Sequence, residues 1–497
     1  MGAVQSRVPS SRPAVLHRPF PAAPLRVCQA LLLCGLAGCG AVAVPPLPDS
    51  VPAAWRQAPP AADRALAPDL HNWWKALGDP QLDALVDRAL AQNLGVAQAR
   101  ARLREARLLA GQGNAQFKPA LSASSRSVQD ISATDTYFQA SLDAVWELGL
   151  FGGRESAEKA GQAGIDTATA NSMDARVSTV AEVVRRYTDL QAARTQQALL
   201  DRVVALDRRT LELIDLRRRQ QLGAPDDQHQ AMARLAQARA QQTQPRQAAD
   251  RAAQSLAVLL GQAEPDSAWT AQPAAAPRAA LPAFALQQVP ADLLRYRPDV
   301  RRAEAEVLKT AAALGSATAA LYPRVTLGAS FLYAYNLTQH RPRSTVDDVP
   351  AIGPAIDIPL FDWGRRRAAA DAQQAALDAS LLNYRQTVLE GVADTESALG
   401  ALQQARENSD RLREAQQALE RSMQSQATLV RLRLGSELDR IATERAALQV
   451  ALEQASADSS QTLAFIALYK SLGGAPLPVD EETTPLVSAM PWQERSR

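Results

Sequence analysis

The feature that most constrains this chain is an internal repeat. Short motifs of the first half recur in the same order roughly 210 residues later. Leu222-Gly223-Ala224, for example, matches Leu434-Gly435-Ser436, and Leu150-Phe151 matches Leu360-Phe361. Such regular spacing indicates that one structural unit has been duplicated. In each half the patterns predict a helix, two strands, a very long helix and a final helix.

The repeat also divides the chain into segments. We expect a first structural repeat at residues 73–261 and a second at 291–474, separated by a connector rich in Pro and Ala at 262–290. The remaining segments are a signal peptide at 1–38, a lipidated N-terminal linker at 39–72 and a C-terminal tail at 475–497.

Two segments predict helices of unusual length, from Arg154 to Leu222 and from Arg365 to Leu434. Apolar residues recur in them at spacings of three and four, which is coiled-coil patterning. Each helix is about 100 Å long at 1.5 Å per residue. Only 5% of the chain is aromatic although 46% is hydrophobic, so its small side chains favour closely packed helices. Gly223 and Gly435 are expected to end the two helices.

Four other segments alternate apolar and polar residues, which is the period of a β-strand. They begin near Leu121, Phe138, Val325 and Ile352. Alternation over about ten residues suits a tilted membrane strand with one face toward lipid and one toward water. The alternative is a soluble antiparallel sheet that lies on a helical core.

A sheet in lipid must close, because open edges leave backbone groups without hydrogen bonds. Four strands from one chain cannot close. Two chains would give eight strands with an interior filled by side chains, whereas three would give twelve strands and room for a lumen. The arithmetic favours a trimer.

The N-terminus has the pattern of a secretory signal peptide: basic residues, an apolar stretch and then small residues. Leu36-Ala37-Gly38-Cys39 resembles a bacterial lipobox, in which Cys39 is lipidated after cleavage. Cys39 would then be the only cysteine of the mature chain, since Cys28 and Cys34 leave with the signal. The alternative is an ordinary signal peptide with an incidental cysteine.

Several function classes find no support in the sequence. No zinc-protease, nucleophile-elbow or phosphate-loop motif is present, so we expect no enzyme activity, no metal site and no cofactor beyond a covalent lipid on Cys39. The net charge of +2 and the lack of a basic run argue against nucleic-acid binding. No run of 18 apolar residues follows residue 40, so no transmembrane helix is expected.

Together, the motifs resemble the TolC-like outer membrane efflux proteins, and in particular their NodT-type lipoprotein subgroup. The resemblance rests on five stretches in the family's order: Trp73-Trp74 with Gly78-Asp79-Pro80, Trp146 to Gly152, Pro290 to Asp299, Ile356 to Phe361, and Leu468 to Gly474. It implies a mainly α fold with a membrane β-barrel: four strands per chain in a trimeric twelve-stranded barrel, joined to a long periplasmic α-helical barrel.

The resemblance also implies a function. The chain would be the outer-membrane exit duct of a tripartite efflux system, lipid-anchored and extending into the periplasm. Its partners would be two further copies, a periplasmic adaptor, an inner-membrane pump of the RND class and outer membrane lipids. The alternatives are a duct for protein secretion and a periplasmic coiled-coil scaffold without a pore.

In relatives, rings of apolar and acidic side chains close the channel where the long helices turn. The candidate gate residues here are Leu438, Asp439 and Arg445 after Gly435, with Asp226 and Asp227 after Gly223. Arg445 lies too far from Asp439 for a pair on one helix, so it is expected to pair with an adjacent helix or chain. The alternative reading is a solvated helix start, where Asp is favoured in the first turn.

Overall fold

The computed structural model describes residues 55–56, 70–129, 135–267, 269, 294–342 and 351–474. The predicted signal peptide, Cys39, nearly all of the linker, most of the connector and the C-terminal tail lie outside these residues.

The first half begins with a short 3-10 helix, Trp73–Leu77, and contains five α-helices and two strands. In chain order these are α1 (Pro80–Gln92), α2 (Leu94–Ala115), β1 (Ala120–Gln129), β2 (Thr136–Glu147), α3 (Gly153–Arg219), α4 (Pro225–Gln241) and α5 (Thr243–Leu259).

Among the described residues, the second half has three α-helices and three strand segments. These are α6 (Pro298–Ala319), β3 (Arg324–Asn336), β4 (Arg341–Pro342), β5 (Ala351–Asp357), α7 (Arg365–Arg431) and α8 (Glu437–Ser471).

The predicted duplication is present in the backbone. The long helices α3 and α7 both have 67 residues, close to the predicted bounds. Each follows two residues in the left-handed conformation, Phe151-Gly152 in the first half and Trp363-Gly364 in the second. By backbone conformation Phe151 therefore corresponds to Trp363. The expected match of Phe151 with Phe361 is wrong, because Phe361 lies two residues before the equivalent position.

The expected role of the two glycines as helix stops is also wrong. α3 and α7 end before them, and the left-handed residues are Gln221 and Arg433. In both turns a 6→1 backbone hydrogen bond follows, from Leu222 to Arg217 and from Leu434 to Leu429, which is a Schellman motif. Gly435 is needed for close approach instead, since a Cβ there would lie 3.0 Å from the Cβ of Leu429.

The returning helix of the first half is interrupted, whereas the single helix expected there is found only in the second half. α4 and α5 are separated at Gln242, three residues before Pro245. Proline has no N–H to donate to the carbonyl of Gln241, and its ring crowds that carbonyl. α8 has no proline and runs through 35 residues from a Ser436 cap, whose Oγ accepts from the Leu438 N–H at 3.2 Å.

The sheet is antiparallel, in the order β1-β2-β3, with β4 and β5 both paired to β3. β2 occupies one edge of β3, so β4 and β5 share the other edge as two segments of a fourth strand position. The four predicted strands are thus present. Within the described residues β1 and β5 each have one partner, so both outer edges of the sheet are open.

On each side of a central core, four helices pack side by side in a row. Nearer the sheet they pack in the order α2, α3, α6 and α7, and toward the far turns in the order α7, α8, α3 and α4. The core between these regions is built around Trp73, Trp74 and Phe465, with α3 residues from Val180 to Leu190. The chain is therefore elongated, with the sheet at one end and two turns between helices at the other.

Candidate channel wall and gate

The sheet has one apolar face. In the β2–β3 register Phe138 lies opposite Tyr335, Leu142 opposite Phe331 and Trp146 opposite Leu327. β5 continues the face with Ile352 and Ile356, which are largely exposed in the single chain. A solvent-exposed apolar face of this extent marks a surface that another apolar medium or molecule covers.

The opposite face is polar and hydrogen-bonded across the strands. Asp143 accepts from Ser141 at 2.7 Å and from Ser330 at 2.6 Å. On β1, Arg126 donates to Gln139 at 2.9 Å and Ser124 bonds Ser141 at 2.9 Å. The sheet therefore separates an apolar side from a hydrated side.

Exposed apolar residues, most of them aromatic, mark the junction between sheet and helices. Leu360, Phe361 and Trp363 are 89%, 75% and 88% exposed, and Phe151 stacks on Tyr322 with ring centroids 5.2 Å apart. Aromatic girdles of this kind lie at the membrane–water boundary of membrane barrels.

Toward the far turns, the predicted gate residue Arg445 bonds a neighbouring helix of the same chain. Its Nε donates to Oδ1 of Asp207 on α3 at 2.9 Å. Asp207 is only 3% exposed, and its Oδ2 accepts no hydrogen bond within the described part of the chain. Moving α8 away from α3 would leave the buried Asp207 carboxylate without its charged partner, which is strongly unfavourable. The contact therefore holds α8 against α3. A second contact between the two helices joins Arg202 to Glu444 at 3.9 Å.

The other predicted gate residues lie away from this pair. Asp226 and Asp227 occupy the first turn of α4, where Asp227 accepts from the Ala224 N–H at 3.3 Å and Asp226 from the Gln230 amide at 2.7 Å. Leu438 is half-buried and Asp439 is exposed in the first turn of α8. Carboxylates there are stabilised by the helix N-terminus.

A three-residue charge cluster follows on α8. Arg440 donates to Glu437 at 3.0 Å and to Glu444 at 2.9 Å. The hydrogen bond from Arg440 lowers the pKa of the Glu437 carboxyl, and the hydrogen bond to Glu437 raises the pKa of Arg440. All three residues lie within the first eight residues of α8.

Sequence reasoning missed Asp207. A signal was present: Asp207 follows Val203 by four residues and Val204 by three, so it lies on an apolar stripe of α3. A charged residue on such a stripe needs a partner, but the partner is 238 residues away and no local pattern identifies it.

Within the residues described, no group of three or more potential ligands from His, Cys, Asp and Glu could hold a metal ion. The described helices include none that is long and apolar enough to cross a membrane.

A two-faced open sheet that continues into helices of about 100 Å defines one wall segment of a channel. The chain belongs to the outer membrane efflux protein family, whose model matches residues 85–262 and 289–474. The predicted resemblance is thereby confirmed.

Comparisons with individual proteins support the same family assignment. The chain is 30% identical over 486 residues to the pyoverdine export outer membrane protein OpmQ of Pseudomonas putida, covering 91% of this chain and 97% of that protein. It is 27% identical over 455 residues to the outer membrane protein OprJ of Pseudomonas aeruginosa, covering 84% and 91%. The solved outer-membrane channel OprN is 29% identical with a TM-score of 0.73, covering 86% of this chain and 97% of OprN. The chain is thus an outer-membrane efflux channel, not an enzyme, and the predicted mainly helical fold with a small antiparallel sheet and the predicted outer-membrane localisation are confirmed.

Proposed function

We propose that three copies of this chain form the exit duct of a tripartite efflux system, with a periplasmic adaptor and an inner-membrane pump of the RND class. The open four-position sheet with one apolar and one polar face carries this proposal. Such a sheet is stable in lipid only when closed, and three copies give twelve strands around a hydrated lumen.

The row of helices supports the same assembly. Its free edges near the sheet are α2 and α7, and both expose leucines: Leu108 and Leu109 on α2, Leu382 and Leu389 on α7. Burying one such side chain stabilises an interface by about 1.5–3 kcal/mol. In a ring of three protomers, α7 of one copy would meet α2 of the next.

The trimer is tested with Leu382→Asp, which places a charge on the α7 edge. We expect purified Leu382→Asp protein to lose the trimer band in unheated gels and to run as monomer in size-exclusion chromatography. Asn383→Asp is the matched control, since Asn383 is its exposed neighbour on the same helix. A monomeric wild-type protein, or a Leu382→Asp variant that remains trimeric, contradicts the proposed interface.

We further propose that the duct is anchored by a lipid on Cys39, because Leu36-Ala37-Gly38-Cys39 matches a lipobox. Cys39→Ser should abolish palmitate labelling, with Cys34→Ser as the control that keeps it. Mass spectrometry that finds an unmodified mature N-terminus at another position contradicts this proposal.

The far turns supply the gate. In the proposed ring, each Asp207–Arg445 pair fixes α8 to α3, so the three α8 helices are held in one closed arrangement. Leu438 and Asp439, in the first turn of α8, would then narrow the end of the duct, and Asp226 and Asp227 would flank it. A ring of carboxylates near the axis favours cations.

A further inference from the structure

A cavity of about 340 Å³ lies between α3, α4 and α8, beside the Asp207–Arg445 pair. Its lining is mostly polar, and the nearly buried Leu200 and Val203 of α3 contribute only a small apolar area. Arg234 and Gln241 of α4 line it from one side and Arg445 of α8 from the other. All of these residues belong to one chain, so the cavity is complete without a neighbouring protomer.

The charges at this cavity are unbalanced. Arg445 uses its Nε to bond Asp207, and no hydrogen bond to its terminal nitrogens is found within the described residues. Arg234 makes no ion pair with any residue that the structure describes. Glu444, which precedes Arg445 on α8, is bonded to Arg440. Two arginines therefore line one cavity, and the buried Asp207 balances only one of them.

We propose that this cavity binds a small carboxylate. The carboxylate would lie between the guanidinium groups of Arg234 and Arg445, which offer paired N–H donors suited to it.

Such a ligand would also act on the gate, a consequence that rests on the proposed function. It would join α4 to α8 across α3 while Asp207 positions Arg445 through the Nε bond. Opening that moves Arg445 away from Asp207 would dismantle the site. Because a ligand stabilises the state that it binds more tightly, the carboxylate would favour the closed duct.

The test uses purified full-length protein with benzoate as the probe and benzamide as its neutral counterpart. Equilibrium dialysis should show saturable benzoate binding at three sites per trimer and no comparable benzamide binding. Arg234→Ala should weaken benzoate binding roughly tenfold or more, since one charge-assisted contact is lost. Arg239→Ala is the matched control: Arg239 is exposed on the same helix but does not line the cavity.

Planar-bilayer recordings at constant ionic strength test the effect on the gate. Benzoate should lower the open probability of wild-type channels, and Arg234→Ala should remove this response. Absence of saturable benzoate binding, or equal binding by the Arg234→Ala protein, overturns the site. Unchanged or increased opening in benzoate overturns its coupling to the gate. Protein that binds benzoate but forms no channels supports the site and contradicts the proposed duct.

Discussion

At the scale of single residues, Arg297 connects three helices of the second repeat. It is 7% exposed and bonds Asp299 at 2.7 Å, Asp394 at 3.0 Å and the carbonyl of Ser471 at 2.8 Å. Burial disfavours both charged groups, but the contacts outweigh it. The pKa of Asp299 is lowered because Arg297 bonds it, and the pKa of Arg297 is raised because Asp299 and Asp394 accept from it. The start of α6 is thereby tied to α7 and to the end of α8.

This pair gives a prediction with a defined pH window. A carboxyl whose pKa is lower in the folded state adds stability above its unfolded pKa of about 3.9, and the gain is lost as the pH falls through the folded value. Asp299→Asn should therefore destabilise the protein by about 1–3 kcal/mol at pH 7, with the difference shrinking below about pH 4. Thermal unfolding from pH 3 to 8 measures it.

Asp371→Asn is the control, because Asp371 is exposed and its ion pair within the described part of the chain is with Arg367 on its own helix. A stability difference between wild type and Asp299→Asn that is the same at pH 3 and pH 7 contradicts the assignment.

At the scale of elements, periodicity alone predicts most of the fold. The alternation near Phe138 and Val325 predicts β2 and β3, and the three-four spacing predicts both long helices. What it misses is conformational detail. Nothing in the pattern shows that Gln221 and Arg433 adopt left-handed backbone while the nearby glycines do not, because the glycine signal is the stronger local cue.

The turn of α7 therefore offers a second prediction. Arg433 has a φ of 62°, which costs a residue with a side chain more than it costs glycine. Arg433→Gly should stabilise the turn by about 0.5–1 kcal/mol. Arg431→Gly, the same change at the last right-handed residue of α7, should destabilise it by about 1 kcal/mol. Hydrogen exchange of residues 429–436 measures both, and equal effects of the two changes contradict this account.

At the scale of the whole molecule, the need for the sheet to close can be predicted from the strand pattern of the sequence. Four strands with one apolar face cannot remain open in lipid, whatever their individual side chains. The gate is different, because it depends on long-range pairing. Arg445 could be singled out from its place after the turn, but Asp207 is identified only once α8 is packed on α3.

The central claim is that this chain forms a duct whose far end is held closed by Asp207 and Arg445. Single-channel recording of the purified protein in planar bilayers tests it most directly. Wild-type protein should open rarely, and Arg445→Ala should raise the mean conductance severalfold because the charged contact between α8 and α3 is lost. Arg411→Ala is the control, since Arg411 is 81% exposed and, among the described residues, pairs with Glu414 of its own helix α7. Conductance of Arg445→Ala equal to that of wild type, or no channels from any variant, would contradict the account.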